Sequence, residues 1–143
     1  MDLVEEIAAV RAGRGNPHAM LGEFRRTAVL VPVVDGGLLT GVFGGIRWIY
    51  AFTDEPAMAR FARAKDTAPG QEWEYEAVLG ARLLDAVVPE ADGPAGVAVN
   101  VADEDGSMLF PPVKGIVPDA AAVDVDADVD AGADAAARDG GAR

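Results

Sequence analysis

Apolar residues recur at helical spacing at the start of the chain. Leu3, Ile7 and Val10 stand four and three positions apart, a spacing that predicts a short first helix with one buried face. Asn16 followed by Pro17 is typical of a second helix start, because an Asn side chain caps the first turn and Pro fits its first position. The chain therefore begins with two predicted helices.

An apolar stretch interrupted by glycine pairs follows and predicts an antiparallel meander. Its three strands are predicted at residues 28–34, 38–43 and 46–52. Pro32 lacks an N–H group, which indicates that one edge of the first strand is unpaired there. In the third strand Trp48 and Tyr50 share one face and Ile49 lies on the other, because side chains alternate along a strand.

The pattern becomes helical again after the third strand. Thr53 is predicted to cap a helix whose first turn carries Asp54 and Glu55, and Met58 and Phe61 form its inward face. A half-exposed strand, a short helix and a final hairpin are then predicted at residues 72–78, 81–88 and 96–101 with 108–110. Together these elements predict an α+β fold, with a mixed or mostly antiparallel sheet of five to six strands and three to four helices.

Composition changes abruptly at residue 119. The last 25 residues contain ten Ala and seven Asp, with no aromatic and no large aliphatic side chain. Such a segment buries too little apolar area to offset the entropy lost on ordering it. We therefore predict one folded domain over residues 1–118 and a disordered, acidic Ala/Asp-rich tail over residues 119–143.

The inventory of reactive side chains is short. The chain has no Cys, a single His at His18 and a single Ser at Ser107. Thiol chemistry and disulfides are therefore excluded, and a Ser–His–acid triad would need both of those residues. Zinc normally requires His or Cys ligands, and the acidic stretches match no calcium-binding loop. We expect a protein that is not an enzyme and that holds no cofactor and no metal.

Charge and hydropathy limit the classes of partner. The formal net charge of −12 repels nucleic-acid phosphates. No apolar run approaches the ~18 residues of a membrane span, and the first residues lack the basic and apolar regions of a signal peptide. With the lack of Cys, these features predict a cytoplasmic protein that binds neither nucleic acid nor membrane. We expect another protein as the partner, and a monomer or weak homodimer as the oligomeric state.

The order of these features resembles that of the N-terminal domain of the bacterial SseB family. The resemblance rests on a valine–proline strand, two helix starts and a late strand ending in Asn, at residues 26–32, 50–55, 80–84 and 97–100. It covers about residues 17–112, and Val101 stands where similar proteins have Pro after that Asn. The resemblance implies a small α+β domain without established catalytic residues.

We therefore expect a non-catalytic binding or accessory module that recognises its partner through a sheet face or its loops. The predicted binding residues lie on the third strand and the following helix start: Trp48, Tyr50, Phe52, Thr53, Asp54 and Glu55. Trp48 with Tyr50, and Trp73 with Tyr75, form either part of the core or an exposed aromatic surface. Two alternatives remain open, a secretion-associated or immunity-type acidic partner protein and a small carboxylate-dependent enzyme.

Overall fold

A computed structural model of the chain describes residues 2–65 and 73–124. The helices are α1 (Leu3–Arg11), α2 (Pro17–Arg26), α3 (Glu55–Ala64) and α4 (Gly80–Arg82), which continues as a π turn (Leu83–Val87) and a 3₁₀ turn (Val88–Glu90). The strands are β1 (Ala28–Val34), β2 (Gly37–Leu38), β3 (Thr40–Phe43), β4 (Ile46–Ala51), β5 (Glu74–Leu79), β6 (Ala95–Val99) and β7 (Met108–Phe110). Within this part of the chain, no helix is both long and apolar enough to cross a membrane.

The two N-terminal helices form as predicted from their apolar spacing and their caps. Asp2 and Glu5 form a reciprocal capping box at the start of α1, which buries Leu3 and Ile7. The Asn16 side chain accepts hydrogen bonds from two backbone N–H groups in the first turn of α2. These bonds satisfy N–H groups that a helix start otherwise leaves without partners.

In the described residues, seven strands form two sheets, with orders β2-β1-β5 and β3-β4-β6-β7. All pairs are antiparallel except β4 with β6, which is parallel. Leu30 and Phe52 exchange two backbone hydrogen bonds of 2.7 and 2.8 Å and so join the sheets. The predicted α+β fold is confirmed, with the strands divided between two sheets.

The second predicted strand is interrupted at Leu39. Its N–H group donates to the Pro32 carbonyl in one sheet, and its carbonyl accepts from the Tyr50 N–H group in the other. At Leu39 the chain therefore changes its pairing partner from β1 to β4, and this change separates β2 from β3. Pro32 accepts a hydrogen bond on this side of β1 but has no N–H group to donate.

The main core lies between the helices α1, α2 and α4 and one face of the sheets. It contains Phe24 from α2 and Phe110 from β7, whose rings stack with centroids 4.3 Å apart. Gly80 allows α4 to approach α2 closely, because a Cβ atom there would overlap the backbone carbonyl oxygen of Phe24. Helix contact on this face therefore depends on a glycine at the β5–α4 junction.

A second, smaller core lies on the opposite face, beneath α3. Ala57, Met58 and Phe61 of α3 are buried against Phe52, while Trp73 packs at the margin of the cluster. The predicted inward residues Met58 and Phe61 are confirmed. This face carries the candidate site.

The described chain continues to contact the domain past residue 118. Asp119–Ala121 form a 3₁₀ turn, and Ala122 packs against the main core. The Val123 N–H group donates to the Pro112 carbonyl at 2.8 Å. Residues 119–124 of the predicted tail thus lie against the domain, and residues 125–143 fall outside the described residues.

Candidate functional site

Two of the predicted binding residues, Trp48 on β4 and Phe52 directly after it, are buried and cannot present their rings to a partner. Trp48 is 8% exposed and Phe52 is 0% exposed. The Trp48 ring lies against Gly96 of β6, where a Cβ atom would meet it at 2.8 Å, and its Nε1–H group donates to the Phe43 carbonyl at 3.3 Å. Phe52 is covered by Phe61 of α3, with ring centroids 5.4 Å apart. Trp48 and Phe52 therefore lie in the interior of the domain, and a role for them in binding stays a prediction.

The sequence predicted Thr53 as the cap of α3, but the structure shows Asp54 in that position. The Asp54 side chain accepts from the Ala57 N–H group at 2.9 Å, and the first helical residue is Glu55. Thr53 is instead held by Asn100, whose Oδ1 accepts the Thr53 N–H and whose Nδ2 donates to Thr53 Oγ1, both at 3.0 Å. Since a tertiary contact occupies the Thr53 hydroxyl, the next acceptor along the chain caps the helix.

A cleft of about 620 Å³ lies beside the C-terminal half of α3. Its walls come from α3, the β1–β2 turn, the β3 and β4 strands and the start of β5, and we call it the α3 cleft. Its lining residues are Val33, Val34, Asp35, Leu39, Thr40, Gly41, Tyr50, Phe61, Lys65, Trp73 and Glu74. Of the predicted binding residues, only Tyr50 lines this cleft.

Aromatic rings form one wall of the α3 cleft. The Phe61 ring contacts Tyr50 with centroids 5.0 Å apart, and contacts Trp73 edge-on at 5.8 Å. The Lys65 Nζ atom lies 5.7 Å from the Phe61 centroid, within cation–π range. Tyr50 and Trp73 thus both contact Phe61, whereas Trp48 is buried elsewhere.

Gly41 allows the Tyr50 ring to lie flat along the sheet. A Cβ atom at Gly41 would overlap the Tyr50 hydroxyl oxygen, so any larger residue would displace the ring. A glycine within a strand often marks such a close approach. Asp35 adopts a positive φ of 52° in the adjacent turn, a conformation that Asp tolerates better than most residues.

The charged groups of the α3 cleft are of both signs. Asp35 and Glu74 supply carboxylates, and Lys65 supplies an amine. No His, Ser or Cys is among the lining residues. His18 lies in the first turn of α2, and Ser107 precedes β7, where its carbonyl accepts a hydrogen bond from Arg11. No group of residues in the described ranges has the composition of a metal site.

Sequence reasoning did not identify Phe61, Lys65 or Asp35 as site residues. Phe61 was predicted only as an inward-facing helix residue, which is correct but does not specify its partners. Gly41 carried a usable signal, because a glycine in an otherwise apolar strand predicts close packing. Nothing in the local sequence of α3 indicates that Lys65 lies near the β1–β2 turn.

Two exposed side-chain interactions hold α3 against its neighbours. Arg60 forms a bidentate ion pair with Asp103, with N···O distances of 2.5 and 2.9 Å. At the start of α3, the Tyr75 hydroxyl donates to Glu55 Oε2 at 2.5 Å, and this hydrogen bond raises the pKa of Tyr75 above its ordinary value. The second contact connects the α3 start to β5.

The Glu55–Tyr75 contact predicts a specific pH dependence. Because the pKa of Tyr75 is raised on folding, its contribution to stability is present below the ordinary tyrosine pKa of about 10 and is lost as pH rises through the folded value. We expect Glu55→Gln to lower the Tyr75 pKa, measured by the ultraviolet absorbance of tyrosinate. Glu76→Gln, which removes a carboxylate from the same strand, is the control. Equal shifts in both variants would contradict the assignment.

Comparison of the chain with models of protein families, with curated proteins and with solved structures found no match. The resemblance to the SseB family therefore remains a hypothesis that rests on the sequence features described above.

Proposed function

We propose that the protein is a non-catalytic binding module that receives an apolar or aromatic group of a partner protein in the α3 cleft. The observation that carries this proposal is the convergence of Tyr50, Phe61 and Trp73 on one cleft of about 620 Å³. Aromatic residues are enriched where proteins bind each other, since they bury large areas at low conformational cost. Thr40 and Lys65 add polar groups that orient such a ligand.

The SseB resemblance supports an accessory role in a bacterial cell, because it implies no catalytic residues. The cytoplasm is part of the same proposal and rests on the Cys-free composition. The alternative is a secretion-associated or immunity-type partner protein, since a net charge of −12 favours a basic partner. A carboxylate-dependent enzyme with its site in the α3 cleft would use Asp35 and Glu74, the two acids among its lining residues.

The test is capture of partners from native lysate by the full chain and by variants of the α3 cleft. We expect Trp73→Ala and Lys65→Glu each to weaken capture by about tenfold or more, as for residues central to an interface. Phe43→Ala is the matched control, because it removes an aromatic ring that is 77% exposed at the β3–β4 turn, outside the cleft. The same proteins retained by all three variants would contradict the proposal, as would no captured protein at all.

A further inference from the structure

The β5 strand pairs on one side only among the described residues. Its six residues face β1 in an unbroken antiparallel register, from Glu74 opposite Val33 to Leu79 opposite Ala28. The sheet order β2-β1-β5 places β5 at an edge. The other side of β5 therefore presents main-chain groups that no described strand uses.

The hydrogen-bond pattern shows which groups these are. Gly80 N–H donates to the Thr27 carbonyl at 2.9 Å, so the pair next to β5 is a hydrogen-bonded one. Such pairs alternate along an antiparallel ladder. The main-chain N–H and C=O groups of the even-numbered β5 residues therefore bond to β1, and those of the odd-numbered residues point away from β1. The Pro32–Tyr75 pair agrees, because Pro32 has no N–H group to offer.

We call the outward main-chain groups of Tyr75, Ala77 and Leu79 the β5 edge. Tyr75 is 38% exposed and Leu79 is 50% exposed, and their side chains share one face of the strand with Ala77. The other face carries Glu74 and Glu76, both exposed. Natural edge strands are usually protected by charged side chains, Pro or a bulge; β5 has no Pro and no bulge, and its only charged side chains are Glu74 and Glu76.

All charged side chains on the β5 strand itself are negative. Glu74 and Glu76 are its only charged side chains, and Glu55 adds a third carboxylate through its hydrogen bond to Tyr75. An added strand would bring its own side chains opposite these residues, where opposite charges attract and like charges repel. The edge therefore complements a basic strand whose alternate residues are apolar.

We propose that the β5 edge binds an extended segment of another protein in which basic and apolar residues alternate. The segment adds a strand to the β2-β1-β5 sheet, with main-chain hydrogen bonds to Tyr75, Ala77 and Leu79. Its basic side chains lie over Glu74 and Glu76, and its apolar side chains cover Tyr75 and Leu79. This surface shares Glu74 with the lining of the α3 cleft but uses none of its aromatic wall, and it does not depend on the function proposed for the cleft.

A second copy of the chain fits the same edge less well. In a symmetric antiparallel pair, Ala77 would face its own counterpart, Tyr75 would face Leu79, and the two Glu76 side chains would be diagonal neighbours. The pair would also bring Glu55 and Glu74 of both copies to one seam, between chains that each carry a net charge of −12. Like charge thus favours a basic partner over self-association.

The test uses the full chain and a fluorescently labelled peptide of sequence Lys-Val-Lys-Val-Lys-Val, capped at both ends. We expect saturable binding by fluorescence anisotropy, weakened by salt. We also expect slower amide hydrogen exchange at Tyr75, Ala77 and Leu79 in the complex, measured by NMR. A peptide that carries N-methyl groups on its bonding face keeps the charge but loses the main-chain donors. Equal affinity for that peptide would overturn the proposal, because charge alone would then explain binding.

Ala77→Pro tests the edge from the protein side. Its missing N–H group points outward, so the ladder to β1 is retained, and we expect peptide affinity to fall about tenfold. Ala77→Thr keeps the donor and is the matched control, with affinity close to that of the unaltered chain. If Ala77→Pro does not fold, the N-methylated peptide still decides the question on the unaltered chain.

Charge and self-association complete the test of the β5 edge. The double variant Glu74→Gln, Glu76→Gln is expected to bind the peptide about three- to tenfold more weakly at low salt. Unchanged affinity would overturn the charge complementarity. Sedimentation equilibrium that shows a dimer of the unaltered chain and a monomer of Ala77→Pro would assign the edge to a second copy and overturn the proposal.

Discussion

Replacing Phe110 by Ala is expected to lower the free energy of unfolding by about 3–5 kcal/mol. Phe110 is 1% exposed and stacks on Phe24, which is 0% exposed, with an interplanar angle of 15°. The substitution removes a buried ring and leaves a cavity between α2 and the β7 strand. The surrounding residues cannot close this cavity fully, because α2 is held in place by its contact with Gly80.

Urea unfolding, followed by tryptophan fluorescence and circular dichroism together, measures this effect. Phe110→Leu keeps most of the apolar volume and is expected to cost much less than Phe110→Ala. Leu109→Ala is the positional control on the same strand, since Leu109 is 50% exposed and its truncation leaves no buried cavity. Comparable losses for Phe110→Ala and Leu109→Ala would show that the Phe24–Phe110 stack does not stabilise the core as we expect.

Asn100→Ala is the second substitution with a large expected effect, and we expect it to lower the free energy of unfolding by about 2–4 kcal/mol. Asn100 is the one buried polar residue of the described core, at 3% exposure, and its side chain forms both hydrogen bonds to Thr53. Alanine leaves the Thr53 N–H group and hydroxyl without these partners. Asn100 also has a φ of 51°, a left-handed conformation that costs Ala about 1–2 kcal/mol.

Two variants separate these causes. Asn100→Gly removes the hydrogen bonds but tolerates the positive φ, so it should be less destabilising than Asn100→Ala. Thr53→Val removes only the hydroxyl and is expected to cost about 0.5–1.5 kcal/mol. Faster amide hydrogen exchange at Thr53 and Ala57 in Asn100→Ala would show that the α3 start has loosened. If Asn100→Ala unfolds like the unaltered chain, Asn100 does not hold the turn between β4 and α3.

Asn100 also connects the fold to the α3 cleft. The Asn100 main-chain N–H group donates to the Ala51 carbonyl at 2.9 Å, so the residue joins the ends of β6 and β4. Its side chain then sets the position of Thr53, directly before the Asp54 cap of α3. Because α3 brings Phe61 and Lys65 to the cleft, loosening its start is expected to weaken partner capture as well as stability.

Elements whose signals are local were predicted well. The apolar spacing of Leu3 and Ile7, and the Asn16–Pro17 start, lead to α1 and α2 because caps and helix faces involve residues only a few positions apart. The β6–β7 hairpin follows for the same reason, from an acidic glycine turn between two apolar runs. Of the residues predicted to bind a partner, only Tyr50 lines the α3 cleft, because the cleft joins elements far apart in the sequence.

The sequence by itself determined the α+β class, the helix caps of the N-terminal pair, the alternation of Trp48 and Tyr50 against Ile49, and the acidic net charge. Only the tertiary structure decided that β6 lies parallel to β4 and that Leu39 bonds to both sheets. It also decided that Thr53 bonds to Asn100 while Asp54 caps α3. The physical reason is distance along the chain. Asn100 and Thr53 are 47 positions apart, and they form a hydrogen bond only because packing places the ends of β4 and β6 side by side.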